Sequence, residues 1–224
     1  MILLTALVLF VPHASAGDWL TQMRTAWDSV QAYRSEQRLL ERVDGSLREE
    51  RVMRAVYRKP GELQLTFGSG KRAAKVYHSD HRFHGSVRML HAGRAGYKRG
   101  ILTVPWDNAD LRSMVHRNVA ELDLGAFVDM FVALYGTEAT LPTPTPDVAG
   151  EESAWRVDLV GDGRKGWARA ELALSQRTHL PARVVLWDAH GVMLERHQWI
   201  ALEVNPPLVE TVDFDLAGYA APTP

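Results

Sequence analysis

The sequence predicts a mainly β fold with helices, an α+β class. We expect an incomplete antiparallel β-barrel of about eleven strands, with two or three helices covering its concave face. Three observations predict it: apolar residues alternate with period two in the first and last parts, helical spacing occurs only near the N-terminus and in the middle, and turn signals separate the alternating runs. An antiparallel meander of this size must close or curl to protect its edges, so the helices must cover its apolar face.

Two segments have the apolar spacing of an amphipathic helix. From Trp19 to Gln31, apolar residues recur at steps of three and four, and the same spacing returns from Leu124 to Tyr135. Asp123 is the predicted N-cap of the second helix and Gly136 its predicted C-cap. A shorter helix is predicted around Leu111, just before it.

The strands of the first half surround clear turn signals. Asp44-Gly45 predicts a hairpin, Pro60-Gly61 a second turn, and Ser79-Asp80 the tip of a third. The predicted strands are 33–43, 48–59, 63–67, 71–78, 82–91 and 97–104.

The last third is predicted to be entirely strand. An exposed, extended connection at 137–152 precedes it, because Pro142, Pro144 and Pro146 occur there in Thr-Pro repeats. The predicted strands are 155–159, 168–174, 181–187, 192–203 and 208–215.

Composition excludes several classes of protein. The chain has 224 residues, 46% of them hydrophobic, with 26 basic against 27 acidic side chains and no cysteine. This balance argues against a disordered chain, a polytopic membrane protein and a general nucleic-acid binder. Without cysteine there is no disulfide, no thiolate zinc site, no cysteine nucleophile and no lipid-modified N-terminal cysteine.

The overall charge conceals two opposite halves. From Arg34 to Arg117 there are 18 Lys/Arg against 9 Asp/Glu, whereas from Asn118 to Pro224 there are 7 against 16. In a single folded unit the halves are expected to neutralise each other across strands. The alternative is a functional basic surface.

The N-terminus is predicted to be a secretory signal peptide, residues 1–16. Ile2 to Val11 are apolar apart from Thr5, and this run is too short to span a membrane. Ala14-Ser15-Ala16 fits a signal-peptidase site. No Lys or Arg precedes the apolar run, so either the true start lies upstream or the segment is a buried helix. We expect cleavage after Ala16 and one exported, soluble periplasmic domain over residues 17–224.

The order of elements resembles the bacterial outer-membrane lipoprotein carrier fold. The resemblance follows the N-terminal helix, the Asp44-Gly45 hairpin, the run from Arg58 to Leu63, Leu180-Pro181, and Asn205-Pro206 leading to Phe214 and Tyr219. The stretch from Asp44 to Phe131 is more similar to an uncharacterised exported family grouped with these carriers. The resemblance implies an incomplete barrel with a hydrophobic cavity for acyl chains.

Aromatic and aliphatic residues supply a candidate cavity, although an ordinary dry core would contain the same residue types. The candidate wall residues are Met53, Tyr57, Leu63, Leu65, Phe67, Trp155, Leu172 and Trp187, and a movable helical lid would contribute Trp27, Phe127 and Phe131. Arg54, Arg58 and Lys59 could flank the mouth and meet anionic head groups, or they could lie on a solvated outer face.

No catalytic residue, metal site or cofactor is predicted. His78, Asp80, His81 and His84 are the residues most like metal ligands, but they fall on a predicted hairpin tip beside a repelling arginine. Neither a nucleophile elbow nor a phosphate-cradling loop occurs. Glu151-Glu152, and Asp213 with Asp215, are paired carboxylates without a companion acid, base or pocket.

The sequence therefore favours a non-enzymatic periplasmic carrier or chaperone whose partner is an acyl chain, a lipid or a lipoprotein, with release to a membrane or receptor. An envelope-stress sensor or protein-interaction module on the same fold is the alternative. A hydrolase or metal-binding protein is the weakest reading.

Overall fold

The computed structural model describes residues 18–68, 74–79, 85–91, 100–108, 111, 118–138, 140–161, 163, 166–207 and 214. The helices among these residues are α1 (Asp18–Ser29) and α2 (Leu124–Tyr135), with a 3-10 helix at Val119–Leu122. The strands are β1 (Ala32–Val43), β2 (Ser46–Leu47), β3 (Arg51–Arg58), β4 (Glu62–Phe67), β5 (Ala74–Ser79), β6 (Ser86–His91), β7 (Gly100–Pro105), β8 (Thr145–Ala149), β9 (Glu152–Val160), β10 (Arg169–Ser175), β11 (Pro181–Trp187) and β12 (Met193–Val204).

All of these strands belong to one antiparallel sheet that does not close. The order across it is β7-β6-β5-β4-β3-β1-β12-β11-β10-β9-β8, with the short β2 paired to β1. The first and last long strands therefore meet in the middle, where nine residues of β1 pair with β12. The predicted class, an incomplete antiparallel barrel with helices, is confirmed.

The sheet curls around its two helices. Met89 of β6 and Leu159 of β9 belong to the same buried apolar cluster as Phe127 of α2. Eleven strands laid flat would span roughly 50 Å, whereas a helix of twelve residues is about 18 Å long. One cluster that joins strands from both halves to the short helices fits a sheet that bends over them, and we call this helix-covered side the inner face.

Local sequence accounts for the first hairpin. Asp44 and Gly45 both have positive φ, at 50° and 77°, which is the conformation a tight hairpin turn requires at its two central positions. Aspartate tolerates this region and glycine adopts it without a steric cost. The predicted hairpin between β1 and the following strands is confirmed.

The termini of α2 match their predicted caps. The Asp123 side chain accepts a hydrogen bond from the backbone N–H of Gly125, and the Gly136 N–H donates to the carbonyl of Val132. Both contacts satisfy backbone groups that the ends of a helix leave free.

Some sequence predictions differ from the structure or lie outside it. Part of the predicted connection, Thr145–Ala149, forms the edge strand β8, which is extended and largely exposed as expected but pairs with β9. The signal peptide, most of the helix around Leu111 and the histidine-rich tip lie outside the described residues, as does the strand at 208–215 except for Phe214.

The outer face of the sheet carries two small apolar clusters of its own. One joins four alanines, of which Ala149 and Ala182 are the most distant in sequence. The other pairs Tyr77 with Phe214, against which Val56 and Ile101 pack.

Neither α1 nor α2 has the length and the apolar character of a membrane-spanning helix, and the rest of the described chain contains no other candidate.

Candidate functional site

Most of the predicted cavity residues meet on the inner face. The wall residues in the main apolar cluster are Met53, Tyr57, Leu63, Leu65 and Leu172, each at most 7% exposed, with the partly buried Phe67 packed against them. The three lid residues Trp27, Phe127 and Phe131 belong to the same cluster. The helices therefore fill the concavity of the sheet.

Two predicted wall residues lie elsewhere. Trp187 faces the outer side of the sheet because Val184 and Leu186, at alternating positions of β11, already point inward. The Arg169 guanidinium stacks on its ring, 4.0 Å from the centroid. Trp155 pairs with the inner-facing Leu174, but β9 lies next to the edge of the sheet and its indole remains 37% exposed.

Residues that the sequence analysis missed occupy the same cavity. Trp167, Trp199 and His197 are all buried, at 2%, 4% and 0% exposure. The signal for two of them was present, because Glu195, His197 and Trp199 alternate along one face of β12. Trp167 gave no such signal, since it precedes the alternating run of β10.

Close packing joins α1 to the start of α2. A Cβ placed on Gly125 would lie 2.2 Å from Cζ2 of Trp27, so the absence of a side chain at this position allows the indole to rest on the α2 backbone. The ring centroids of Trp27 and Tyr57 are 5.4 Å apart, and those of Tyr33 and Tyr57 are 5.2 Å apart. Three aromatic rings thus form the support beneath the helix junction.

A hydrogen-bonded pair fastens the N-terminus of α2 to the sheet. The Tyr33 hydroxyl donates to Asp123 Oδ1 at 2.6 Å and accepts from the Leu124 N–H at 3.3 Å. Burial raises the pKa of Asp123 from 3.8 to about 6, although the hydrogen bonds from Tyr33 and the α2 backbone oppose the rise. The pKa of Tyr33 is raised well above its usual value by burial and by the adjacent carboxyl group.

The C-terminus of α1 is tied down by two polar side chains. Lys59 Nζ donates to the carbonyls of Trp27 and Asp28, both at 3.0 Å. Asn205 Oδ1 accepts from the Gln31 N–H at 2.6 Å, and its amide nitrogen donates to the Ser29 carbonyl at 3.1 Å. These contacts satisfy backbone groups at the helix end.

The three predicted head-group cations do not gather at one mouth. Arg54 lies on the outer face and pairs with Glu36 at 3.0 Å. Arg58 is also on the outer face, where its Nε donates to Glu62 Oε2 at 2.7 Å. Lys59 instead holds the end of α1, so each of the three cations has a separate intramolecular role.

Open clefts flank α2 on both sides. The larger cleft, about 890 Å³, is lined by Trp167, Leu186 and Glu195 together with residues of α2. The smaller one, about 480 Å³, lies over Tyr57 and Leu63 beside the α1–α2 junction. Ala126 and Asp129 line both clefts, so α2 is the partition between them.

Polar side chains interrupt the apolar inner face along its two central strands. Gln37, Glu41, Glu195 and His197 are all buried, and Glu41 lies directly opposite Glu195. Gln37 Nε2 lies 2.8 Å from His197 Nδ1, and His197 Nε2 lies 3.3 Å from Glu195 Oε2. Phe127 covers the imidazole, with their ring centroids 4.7 Å apart.

The outer face carries a separate groove of about 1040 Å³. Arg34, Arg38 and Glu203 line it, and Ile200, which is 38% exposed, contributes an apolar side chain. Its lining contains charges of both signs.

The predicted histidine-rich tip lies mostly outside the described residues. Of the histidine-rich tip only His78 is described, and its buried ring meets Trp106 edge-on at 5.0 Å between centroids. Among the described residues, no group of three or more His, Cys, Asp or Glu could hold a metal ion.

The fold resembles several solved structures, although no family model and no curated protein matches the chain by sequence. Lipoprotein LppX from Mycobacterium tuberculosis aligns with a TM-score of 0.50 and 10% identity over 86% of this chain and 97% of LppX. A LolA superfamily protein from Nitrosomonas europaea gives 0.38 and 6% identity over 92% and 99%. A chain of the Pseudomonas aeruginosa MucA/MucB complex gives 0.46 and 16% identity over 93% and 63%.

The fold is therefore similar to that of LppX, and the likeness in fold that the sequence resemblance implied is confirmed. At identities this low the likeness shows the fold alone, so any function must be argued from the inner face, the helices and the clefts.

Proposed function

We propose that this chain is exported to the bacterial periplasm and there binds the acyl chains of a lipid or of a lipoprotein anchor as a non-enzymatic carrier. The observation that carries the proposal is the position of α2, which covers the apolar inner face of an open sheet and has a cleft on each side. The fold shared with LppX and the resemblance of the sequence to lipoprotein carriers support the same proposal. Export would follow from the signal peptide predicted at residues 1–16.

The helices α1 and α2 would act as a lid that opens reversibly. Displacing α2 uncovers the inner-face wall, including Met53, Leu65 and Leu172, together with the helix's own Phe127 and Phe131. An acyl chain that takes the place of the lid restores this burial and gains about 0.8 kcal/mol for each methylene group removed from water. Release would follow when a membrane or receptor offers the chain an equivalent environment.

Direct binding measurements test the proposal. The mature chain, titrated with the fluorescent acyl probe 11-(dansylamino)undecanoic acid, is expected to enhance and blue-shift the dansyl emission, and oleoyl lipids should displace the probe. Native mass spectrometry of protein purified from a Gram-negative periplasm should show bound lipid. Neither probe binding nor co-purified lipid would be observed if the inner face were only a packed core.

Matched variants locate the binding. Leu172→Gln places a polar group on the inner wall and should weaken probe binding, whereas Ile200→Ser changes an exposed outer side chain and should leave it unaltered. If Leu172→Gln unfolds the protein, Ile200→Ser still tests which face binds the probe. Loss of probe binding in Ile200→Ser would assign the probe to the outer groove.

A second candidate function, a sensor or protein-interaction module, is favoured by the outer groove near Ile200 and Arg38. In that case crosslinking in the periplasm should recover a protein partner without lipid. Ile200→Asp should abolish the crosslink and leave acyl-probe binding unchanged.

A further inference from the structure

Several buried side-chain polar atoms among the described residues make no hydrogen bond, and two of them are donors that lie beneath α2. Nε1 of Trp167 and Nε2 of His197 make no hydrogen bond, although their side chains are only 2% and 0% exposed. Buried polar groups in proteins are nearly always hydrogen-bonded, because an unsatisfied group loses its hydration without compensation. Two such donors in one cavity require an explanation.

The contacts of His197 identify its Nε2 as a donor. The Gln37 amide nitrogen lies 2.8 Å from Nδ1 and donates to it, so Nδ1 accepts and the ring proton of the neutral imidazole is on Nε2. Glu195 Oε2 is 3.3 Å from Nε2, but the two atoms are not aligned for a hydrogen bond. The proton therefore remains available to a better placed acceptor.

The Trp167 side chain is held in one position. A Cβ at Gly161 would lie 2.5 Å from Cε3 and 2.6 Å from Cζ3 of the indole, so the six-membered ring packs directly against the Gly161 backbone. Phe131 meets the same indole edge-on, with centroids 6.5 Å apart. The nitrogen is on the opposite edge of the indole from Cε3, directed away from Gly161.

Both donors lie under α2 beside the 890 Å³ cleft. His197 is covered by Phe127 and Trp167 by Phe131, and these two phenylalanines are one helical turn apart on α2. Trp167 lines the cleft itself, and so does Glu195, the inner-face neighbour of His197 on β12. A ligand entering beside α2 reaches the Trp167 side chain at the cleft, whereas His197 is fully buried and lies deeper, under Phe127.

The buried N–H groups require a hydrogen-bond acceptor on the ligand, and the charged residues of the cleft determine whether that acceptor is neutral or anionic. The described lining contains Glu41, Glu121, Asp129 and Glu195 as acidic residues, with Arg42 as its basic residue. An acceptor with a negative charge, such as a carboxylate or phosphate, is disfavoured beside so many carboxylates. A neutral carbonyl oxygen fits the site better.

We infer that this cleft binds an ester or amide carbonyl of an acylated ligand, with Trp167 Nε1 as the donor at the cleft, His197 Nε2 as a second and deeper donor, and the acyl chain continuing beneath α2. This inference rests on the proposed function and specifies its ligand class: esterified acyl chains rather than free fatty acids. Acylglycerol lipids and the glyceryl anchor of a lipoprotein both carry the required group.

The test compares ligands that differ only in the carbonyl. Displacement of 11-(dansylamino)undecanoic acid is measured with 1-monoolein, with its ether analogue 1-O-oleyl glycerol, which lacks the carbonyl oxygen, and with oleic acid at pH 8. We expect 1-monoolein to bind about tenfold more tightly than the ether and the free acid, because the carbonyl satisfies the buried donors. A synthetic diacylglyceryl lipopeptide, compared with dioleoylglycerol, distinguishes the two sources.

Matched variants assign the effect to the indole N–H. Trp167→Phe removes the donor and should lower the preference for the ester over the ether to about threefold, whereas Trp187→Phe makes the same change on the outer face of the sheet and should leave it near tenfold. In wild-type protein the Trp167 indole N–H resonance should move downfield with 1-monoolein and not with the ether.

Each outcome decides the inference. Equal affinities for the ester and the ether overturn it while leaving the carrier proposal intact, and this comparison needs no variant. Tighter binding of oleic acid also overturns it, because the site would then select an anion. If none of the ligands displaces the probe, and native mass spectrometry detects none of them bound, the proposed function fails together with the inference.

Discussion

The pair formed by Tyr33 and Asp123 makes the stability of the protein depend on pH in an unusual direction. Asp123 has a pKa of about 6 in the folded chain against 3.8 as its ordinary value. The protonated form is therefore favoured by folding. Its stabilising contribution is complete below about pH 3.8 and is lost as the pH rises through 6.

The size of the effect follows from the two pKa values. A rise from 3.8 to about 6 corresponds to about 3 kcal/mol when the carboxyl group is fully ionised in both states. Part of this cost is already present at pH 4, because the unfolded carboxyl group is half ionised there. Between pH 4 and pH 7 the free energy of unfolding should therefore fall by about 2 kcal/mol on account of Asp123 alone.

Asp123→Asn isolates this contribution. The amide oxygen can still accept from Tyr33, and the loss of the second acceptor for the Gly125 N–H lowers stability equally at every pH. Urea unfolding of both proteins at pH 4, 5, 6 and 7 gives the difference in unfolding free energy, from which other titrating groups cancel. That difference should change by about 2 kcal/mol in favour of the variant as the pH rises. If the difference in unfolding free energy is the same at every pH, or changes in the opposite direction, the pKa of Asp123 is not raised by folding.

Three further predictions concern packing and capping, each measured as the free energy of unfolding in urea. Gly125→Ala should cost about 2 kcal/mol, because its Cβ would lie 2.2 Å from Trp27 Cζ2. The same substitution should cost less in a protein that also carries Trp27→Leu, and an equal cost in both backgrounds would argue against this contact. Asn205→Ala should cost about 2 kcal/mol, because hydrogen bonds to the end of α1 are lost and alanine is strained at a φ of 50°. Asn205→Gly should cost less, and an Asn205→Ala variant as stable as the wild type would contradict the role of this side chain. Leu186→Ala should cost about 3 kcal/mol and Trp187→Ala about 1 kcal/mol or less, whereas the reverse order would place Trp187 inside.

Local patterns were sufficient for most of the fold. The positive φ values that Asp44-Gly45 supplies, the caps of α2 and the alternation along β9 each depend on a few neighbouring residues, so the sequence predicted these elements close to where they occur. The inner positions of β3 and β4 followed from the same alternation, which is why Met53 and Leu65 are in the cavity.

The site was harder to predict because it depends on contacts between distant segments. Trp187 was assigned to the cavity by residue type, but the register of β11 directs Leu186 inward instead. Trp167 precedes its strand and is positioned by Gly161 and Phe131, neither of which is a sequence neighbour. The Tyr33–Asp123 hydrogen bond joins residues 90 positions apart, which no local pattern could indicate.

The central claim is that acyl chains bind between the inner face and α2, and photocrosslinking tests it most directly. The mature protein is irradiated with a monoacylglycerol that carries a diazirine in its acyl chain, and the adducts are mapped by tandem mass spectrometry. We expect adducts on inner-face and lid residues such as Met53, Phe131 and Leu172. Excess 1-monoolein should abolish these adducts. Adducts confined to outer-face residues such as Val52 and Ile200, or adducts that 1-monoolein does not compete away, would contradict it.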